Sequence, residues 1–350
     1  MALGFGTLAE MLSHGFDTVI DVRSPAEYAE DHVPGAINLP VLDNEERARV
    51  GTIYKQQSPF LARKLGAALV FRNAADHIEH RLSHHEGGWQ PLVYCWRGGQ
   101  RSGSFAWMLG QIGWRSEALE GGYRSYRRLV NAMLYDRALP HRIVSLDGYT
   151  GTAKTRLLHL LAARGVQVLD LEGAANHRGS LLGAMPGGQP SQKAFESTLA
   201  GQLCRFDPAR PVLVEAESSK IGERILPPAL WEPMKRAPRI EIVAPIEARA
   251  RYLAREYADV LSAGEDLRHR LSFLREVRGR AVVEGWATLS RSGEHEALTR
   301  ALMEQHYDPA YDKARAIHGT TATVQIALSD LTDGVLERAA GQIDAALARM

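Results

Sequence analysis

Cysteine is scarce in this chain: 350 residues hold two, Cys95 and Cys204, with no CxxC pair and no Cys/His cluster. That excludes a disulfide framework and a zinc site of the usual spacing. Long apolar runs are also missing, so no stretch approaches the length that crosses a bilayer. The N-terminal MALGFGTLAEMLSHGFDTVIDVR lacks a basic segment followed by a long apolar one, so neither a membrane role nor a secretory signal is expected, and the cytoplasm is the expected compartment. Net charge is only +1, which excludes a chain-wide basic field. Internal repeats and low-complexity tracts are absent too. What remains, 45% hydrophobic and 24% charged residues, is the composition of a soluble globular protein long enough for two domains.

The pattern along the chain is α/β. FDTVIDVR and QPLVYCW read as buried strands, and SFAWMLGQIGW and YRSYRRLVNAMLY as helices. A boundary near LYDRALPHR separates a first domain, residues 1–135, from a second, residues 136–350. There RIVSLDG opens a new strand, loop and helix unit with TRLLHLLAARG as the helix. Strands are predicted at VQVLDLEG, PVLVEAES, RIEIVAP and TATVQIAL, which fits a parallel sheet covered by helices. A charged helical stretch at about 246–310 is too long for a simple crossover and predicts a helical insertion. The loops ANHRGSLLGAMPGGQPSQ and SKIGERILPPALWEP are candidate binding loops.

Two short stretches carry chemistry. In VYCWRGGQRSGS, Cys95 ends a predicted strand just before a predicted helix. Arg97, Gly98, Gly99, Gln100, Arg101 and Ser102 then form a turn that can aim backbone N–H groups and a helix N-terminus at an anion on sulfur. With Arg97 and Arg101 adding positive charge, the thiol is expected to fall below its ordinary pKa, which makes Cys95 a candidate nucleophile. Cys204, within AGQLCRFD, reads as a packing residue.

The second stretch is GYTGTAKT, residues 148–155: Gly148, Tyr149, Thr150, Gly151, Thr152, Ala153, Lys154 and Thr155. It follows the phosphate-loop pattern G-x-x-x-x-G-K-[ST] except that Ala153 stands where a glycine is expected. If position 153 needs positive φ, the alanine costs on the order of 1 kcal/mol, so phosphate binding is still expected. Lys154 is placed to reach phosphate oxygens. Thr155, with Glu215 and Glu217 at the acidic end of VLVEAE, is a candidate Mg²⁺ set. His177 and Arg178, in the NHRGS loop, are further phosphate-binding candidates.

DVRSPAEYAEDHVPGAINLP, residues 21–40, together with the cysteine loop, resembles the rhodanese family, in which such segments brace a cysteine carrying transferable sulfur. Here Cys95 to Arg101 reads C-x5-R, wider than the common single-domain loop, and this suits a phosphate-bearing donor. Adding DLEGAANHRGS, QPSQKAFES, VEAESSKIG, GTIYKQQ and EQHYDPAY, nearly the whole chain resembles the tRNA 2-selenouridine synthase family. That resemblance implies a rhodanese-like domain fused to a P-loop parallel-sheet domain. It implies replacement of sulfur by selenium in wobble 2-thiouridine of the tRNAs for Lys, Glu and Gln, with selenophosphate as donor and geranyl diphosphate as a second substrate. Cys95 would carry selenium as an S-selanyl group and the phosphate loop would hold diphosphate. No tightly bound cofactor is expected. The expected partners are the tRNA anticodon loop and a selenophosphate-supplying enzyme, and the chain is expected to be monomeric.

Residues 268–280, RHRLSFLREVRGR, set Arg268, Arg270, Arg275, Arg278 and Arg280 against one glutamate and are the candidate contact for tRNA phosphates. The C-x5-R spacing leaves open a cysteine phosphatase or arsenate reductase joined to a P-loop domain. A third reading is a non-catalytic tRNA-binding sensor.

Overall fold

A computed structural model describes residues 2–180, 182–318 and 322–350. Leu181 of the NHRGS loop region and Thr321 at the start of TATVQIAL lie outside the described residues. The chain divides into two compact units, Met1–Ala138 with Pro190–Arg205, and Leu139–Gln189 with Phe206–Met350.

The first unit is built on five parallel strands, β1 (Ala2–Leu3), β2 (Thr18–Asp21), β3 (Ile37–Asn38), β4 (Pro91–Tyr94) and β5 (Glu117–Leu119), in the order β1-β5-β4-β2-β3. All four residues of β4 are buried, as a strand covered on both faces requires. Its core joins Ile20, Val22 and Val93 to Leu69, Val70 and Ala74 of the helix Pro59–His80 and to Phe105 and Leu109 of the helix Gln100–Ile112. The helix Gln192–Leu203 also belongs to this unit, although the sequence places it in the second domain. Its Lys193 pairs with Glu30 at 2.6 Å, and its Glu196 with Arg127 and, at 2.7 Å, with the Tyr135 hydroxyl. Those polar partners are dispersed in sequence, so no local pattern announces them.

In the second unit β6 (Ile143–Asp147), β7 (Gln167–Leu169), β8 (Val212–Glu215), β11 (Arg239–Val243) and β12 (Val324–Ala327) form a parallel sheet in the order β12-β11-β6-β8-β7. The central β6 is buried along its whole length and delivers its carboxyl end directly into the phosphate loop. The stretch SKIGERILPPALWEP is more regular than its composition predicts. It forms an antiparallel pair, β9 (Lys220–Ile221) and β10 (Arg224–Ile225), and then a helix, Pro228–Arg236, opened by proline where no N–H is needed. Between β11 and β12 stands the helical insertion, from Ile246–Glu256 to Asp308–His318. It has its own core of Leu267, Leu271, Trp286, Leu298 and Leu302.

Candidate functional site

In the first unit, β4 ends at Tyr94 and places Cys95 at the mouth of a turn that opens the helix Gln100–Ile112. Ser102, one turn into that helix, donates its hydroxyl to Cys95 Sγ at 3.2 Å. Burial is the largest single influence on the thiol and pushes it up. The Ser102 hydroxyl and amide, the Arg101 charge and the Arg97 amide together outweigh burial, so Cys95 sits below its ordinary pKa. Arg97 therefore acts on the sulfur through its backbone, while its side chain is exposed. Arg101 is further tied to Glu27 at 3.1 Å.

The turn keeps its shape because a second glycine turn lies against it. The Tyr123 N–H donates to the Cys95 carbonyl at 2.8 Å and the Arg124 N–H to the Trp96 carbonyl at 3.1 Å. A Cβ on Gly122 would come within 2.2 Å of the Cys95 carbonyl oxygen, and one on Gly98 within 2.5 Å of the Leu119 carbonyl oxygen. Both glycines have positive φ, so neither space nor backbone admits a side chain. Beneath lies the DVR segment. Arg23 is fully buried, reaches Asp21 at 2.6 Å and the Asp31 carbonyl at 2.6 Å, and stacks 3.9 Å from the Tyr123 ring centre. Removing Asp21 would strand a buried guanidinium, a loss of about 3–5 kcal/mol.

In the second unit, residues 148–155 wrap from β6 into the helix Lys154–Ala163. Ala153 has φ 60° and ψ 30°, the left-handed conformation that the motif reserves for glycine. Its methyl is buried with Leu157 and Leu158 in the core of the unit. Lys154 Nζ folds back on the loop, donating to the Gly148 carbonyl at 2.7 Å. The Gly148 N–H is held by Asp147 at 2.7 Å. Thr150 offers its carbonyl to Arg249 at 3.2 Å, and Thr152 bonds the Tyr149 carbonyl at 2.8 Å. A Cβ on Gly151 would meet the end of Met303 at 2.8 Å. Tyr149 donates to Asp312 at 2.5 Å, and Tyr311 lies 5.7 Å from Lys154 Nζ. The stretch EQHYDPAY thus packs over the loop.

Glu172 and Glu217 lie in the field of Lys154, with Asp170 and Glu215 beside Glu172, and of these the sequence reading identifies only Glu215 and Glu217. Thr155 donates to Glu172 at 2.9 Å, not to Glu215. Glu215 is buried, accepts from the Leu171 N–H at 3.0 Å and leaves Oε1 without a partner. Burial raises Glu172, offset only in part by Lys154 and Thr155. Burial and then Glu172 push Glu217 up to about 7, while burial and Asp170 raise Glu215. Among the described residues no group of three or more His, Cys, Asp and Glu has metal-holding geometry. The signal for Glu172 was its place after Asp170, which caps the helix Leu171–Ala175 and points the next turn at the loop.

Arg178 is engaged by Asp259 of the helical insertion, with contacts of 3.1 and 3.0 Å, and stacks on Tyr257. Its charge also reaches Glu172, which keeps it in the field of the phosphate loop. His177, its pKa lowered by burial, has an unpartnered Nδ1. In the arginine-rich segment Arg270 pairs with Asp266 at 2.7 Å, and Arg278 donates to His306 Nδ1 at 3.0 Å and to the His306 carbonyl at 2.9 Å. Arg275 and Arg280 are exposed and Arg268 is half-buried.

Fold and sites define a two-part α/β protein: a rhodanese-like unit with a cysteine in its strand-to-helix turn, and a P-loop unit with a helical insertion. The family models agree, a rhodanese-like domain matching residues 5–129 and a tRNA 2-selenouridine synthase AAA domain matching residues 141–272. The tRNA 2-selenouridine synthase of Alcanivorax borkumensis is 35% identical over 84% of this chain and 88% of its own. Those of Nitrosomonas europaea and Chromohalobacter salexigens are 36% and 33% identical, over 72% and 84% of this chain and 66% and 86% of theirs. The chain belongs to the tRNA 2-selenouridine synthase family.

Proposed function

We propose that this protein is a tRNA-modifying enzyme that exchanges sulfur for selenium at C2 of wobble 2-thiouridine in the tRNAs for Lys, Glu and Gln, and that it works in the cytoplasm. Among the described residues no helix is long and apolar enough to cross a membrane. The observation that carries the reading is similarity to the named synthases across both units, 84% of the chain in the Alcanivorax case.

The two sites divide the work. A thiocarbonyl sulfur is a poor leaving group, whereas an S-alkyl sulfur departs as a thiolate. The phosphate loop binds geranyl diphosphate, and the thiouridine sulfur attacks the geranyl carbon as diphosphate leaves. Loop N–H groups and Lys154, released from the Gly148 carbonyl, receive the developing charge. Selenophosphate selenium is already at the selenide level, so an S-selanyl group on Cys95 would need an oxidant. In the step that balances, the Cys95 thiol, brought below its ordinary pKa by Ser102 and Arg101 against burial, attacks phosphorus, and selenide leaves with the P–Se electron pair. Selenide then adds at C2, the geranyl thiolate is expelled, and water releases phosphate from Cys95. Arg268, Arg275 and Arg280 serve as contacts for tRNA phosphates.

Mass spectrometry of nucleosides tests the order. Thiolated tRNA is incubated with the protein and selenophosphate, geranyl diphosphate or both. Geranylated nucleoside with the diphosphate alone and selenouridine only with both are the expected results. An unmodified nucleoside in all three incubations overturns the reading and returns the cysteine phosphatase to consideration.

A further inference from the structure

One feature of the first unit lies outside both sites. Between β3 and β4 two helices, Asn44–Gln56 and Pro59–His80, form a hairpin packed closely enough that a Cβ on Gly66 would touch Val50 at 3.4 Å. Residues 47–75 of this hairpin contain six basic side chains, Arg47, Arg49, Lys55, Arg63, Lys64 and Arg72, and not one acidic residue. Five of the six are exposed, and none of those five has an ion-pair partner among the described residues. Large apolar side chains stand among them in water: Tyr54 is 56% exposed, Phe60 67%, Leu61 50% and Phe71 42%. On the second helix Phe60, Arg63, Lys64 and Phe71 fall on one face, since their offsets match the helical repeat.

A basic face with no acidic residue attracts a polyanion, and exposed aromatics among the charges do not help to bind a duplex backbone. Together they fit single-stranded nucleic acid, whose phosphates meet Lys and Arg while unstacked bases lie on aromatic rings. The hairpin also has an address. Its Arg47 lies 3.7 Å from Glu27 Oε2, the same oxygen that holds Arg101 of the cysteine turn at 3.1 Å. The Asn44 side chain caps the Ala26 N–H at 3.0 Å, which fastens the hairpin's root to the helix carrying Glu27.

We propose that this hairpin is the docking face for the single-stranded anticodon loop of the substrate RNA, placing the reacting base at the rim of the Cys95 turn. The proposal rests on the reading of the protein as a tRNA-modifying enzyme. It gives the first unit its own RNA contact, independent of the arginine-rich segment of the helical insertion.

The test uses the full chain and a fluorescent anticodon stem-loop carrying 2-thiouridine, titrated over a range of salt concentrations around 0.1 M. The triple variant Lys55→Glu, Arg63→Glu, Lys64→Glu is expected to weaken binding by ~30-fold or more. It should also flatten the dependence of log affinity on log salt by about 2. Phe60→Ala with Phe71→Ala is expected to weaken it ~10-fold with that slope unchanged, the signature of lost stacking. All five positions are exposed, so unchanged melting certifies the variants. Affinity and slope kept by both variants overturn the assignment alone. Failure of the unaltered chain to bind the RNA overturns the assignment together with the reading beneath it. If the same variants abolish sedimentation with phosphatidylglycerol vesicles, or dissociate a dimer, and leave RNA affinity intact, the face belongs to a lipid surface or to a second copy and the proposal falls.

Discussion

The cysteine turn and the phosphate loop are both strand-to-helix turns, yet their charge settings are opposite. Around Cys95 the hydrogen bonds and charges that favour an anion outweigh burial. Burial raises Glu27, but Arg101, the Ser24 N–H and Arg47 bring it below its ordinary value, and Cys95 is lowered as well. Around Lys154 burial wins, so Glu172, Glu215 and Glu217 are all held above theirs. The cysteine turn stands ready to bear a negative charge of its own. The phosphate loop keeps its carboxyls protonated more readily and its lysine on a carbonyl, a setting that an incoming polyanion would reorganise. In the proposed reaction the first site is the nucleophile and the second the receptor.

The sharpest way to break this contrast is to disable each site separately. Cys95→Ser should abolish selenation, by 10³-fold or more on the order expected for loss of a nucleophile, while leaving geranylation near the original rate. Lys154→Ala should lower geranylation by ~10²–10³-fold, the scale for losing one charge-stabilising donor, and leave alkylation of Cys95 by iodoacetamide unchanged. Nucleoside mass spectrometry reads both products. Equal loss of both products in each variant would mean that the sites do not divide the chemistry.

A smaller effect separates the two settings by pH. Glu217 titrates near 7, against the ordinary value of 4.5, because burial and Glu172 disfavour its charge. A carboxyl whose folded pKa lies above its unfolded one binds its proton more tightly in the folded state. Stability is therefore lost as pH rises from the unfolded pKa through the folded one, about 4.5 to 7. Glu217→Gln should accordingly leave the melting temperature at pH 5 nearly unchanged and raise stability at pH 8 by about 1–3 kcal/mol. Calorimetry at the two pH values checks it, and a gain of the same size at both would remove the titration argument. At the cysteine turn the sign reverses. Ser102→Ala takes away the hydrogen bond to sulfur and should raise the Cys95 pKa. The pH profile of iodoacetamide alkylation should move to higher pH, and a profile that stays put would show that Arg101 and the loop N–H groups suffice.

Much of this was legible in the sequence because it is local. A strand, a turn of glycines and a helix follow one another in VYCWRGGQRSGS and in SLDGYTGTAKTRLL, and the parallel order and helical insertion follow from the spacing of apolar runs. What was not legible is what the chain brings together over distance. Glu172 reaches Thr155 across 17 residues, and Asp259 captures Arg178 across 81. Gln192–Leu203 joins the first unit through Arg127 and Tyr135, partners drawn from far upstream. In each case the deciding contact is a polar pair with no periodic signature. The basic hairpin escaped for another reason: its charge is diluted along 29 residues by alanine, leucine and glycine, and only folding gathers it on one surface.

The smallest expected effect concerns the left-handed alanine of the phosphate loop. The cysteine turn and the glycine turn against it meet positive φ with Gly98, Gly121 and Gly122, whereas the phosphate loop adds Ala153 at φ 60° to its glycines Gly148 and Gly151. A left-handed alanine costs about 1–2 kcal/mol, so Ala153→Gly relieves that strain. Against it stand the loss of a buried methyl from the core of the unit, about 0.8 kcal/mol, and the greater freedom of glycine in the unfolded chain, about 0.4–1 kcal/mol. The opposing contributions nearly cancel, and the net change in stability should stay within about 1 kcal/mol of zero. Urea unfolding of the two proteins measures it. A loss of several kcal/mol would mean that the methyl fastens the loop to Leu157 and Leu158 and that the alanine is a packing choice. A change near zero would mean that the loop tolerates either residue.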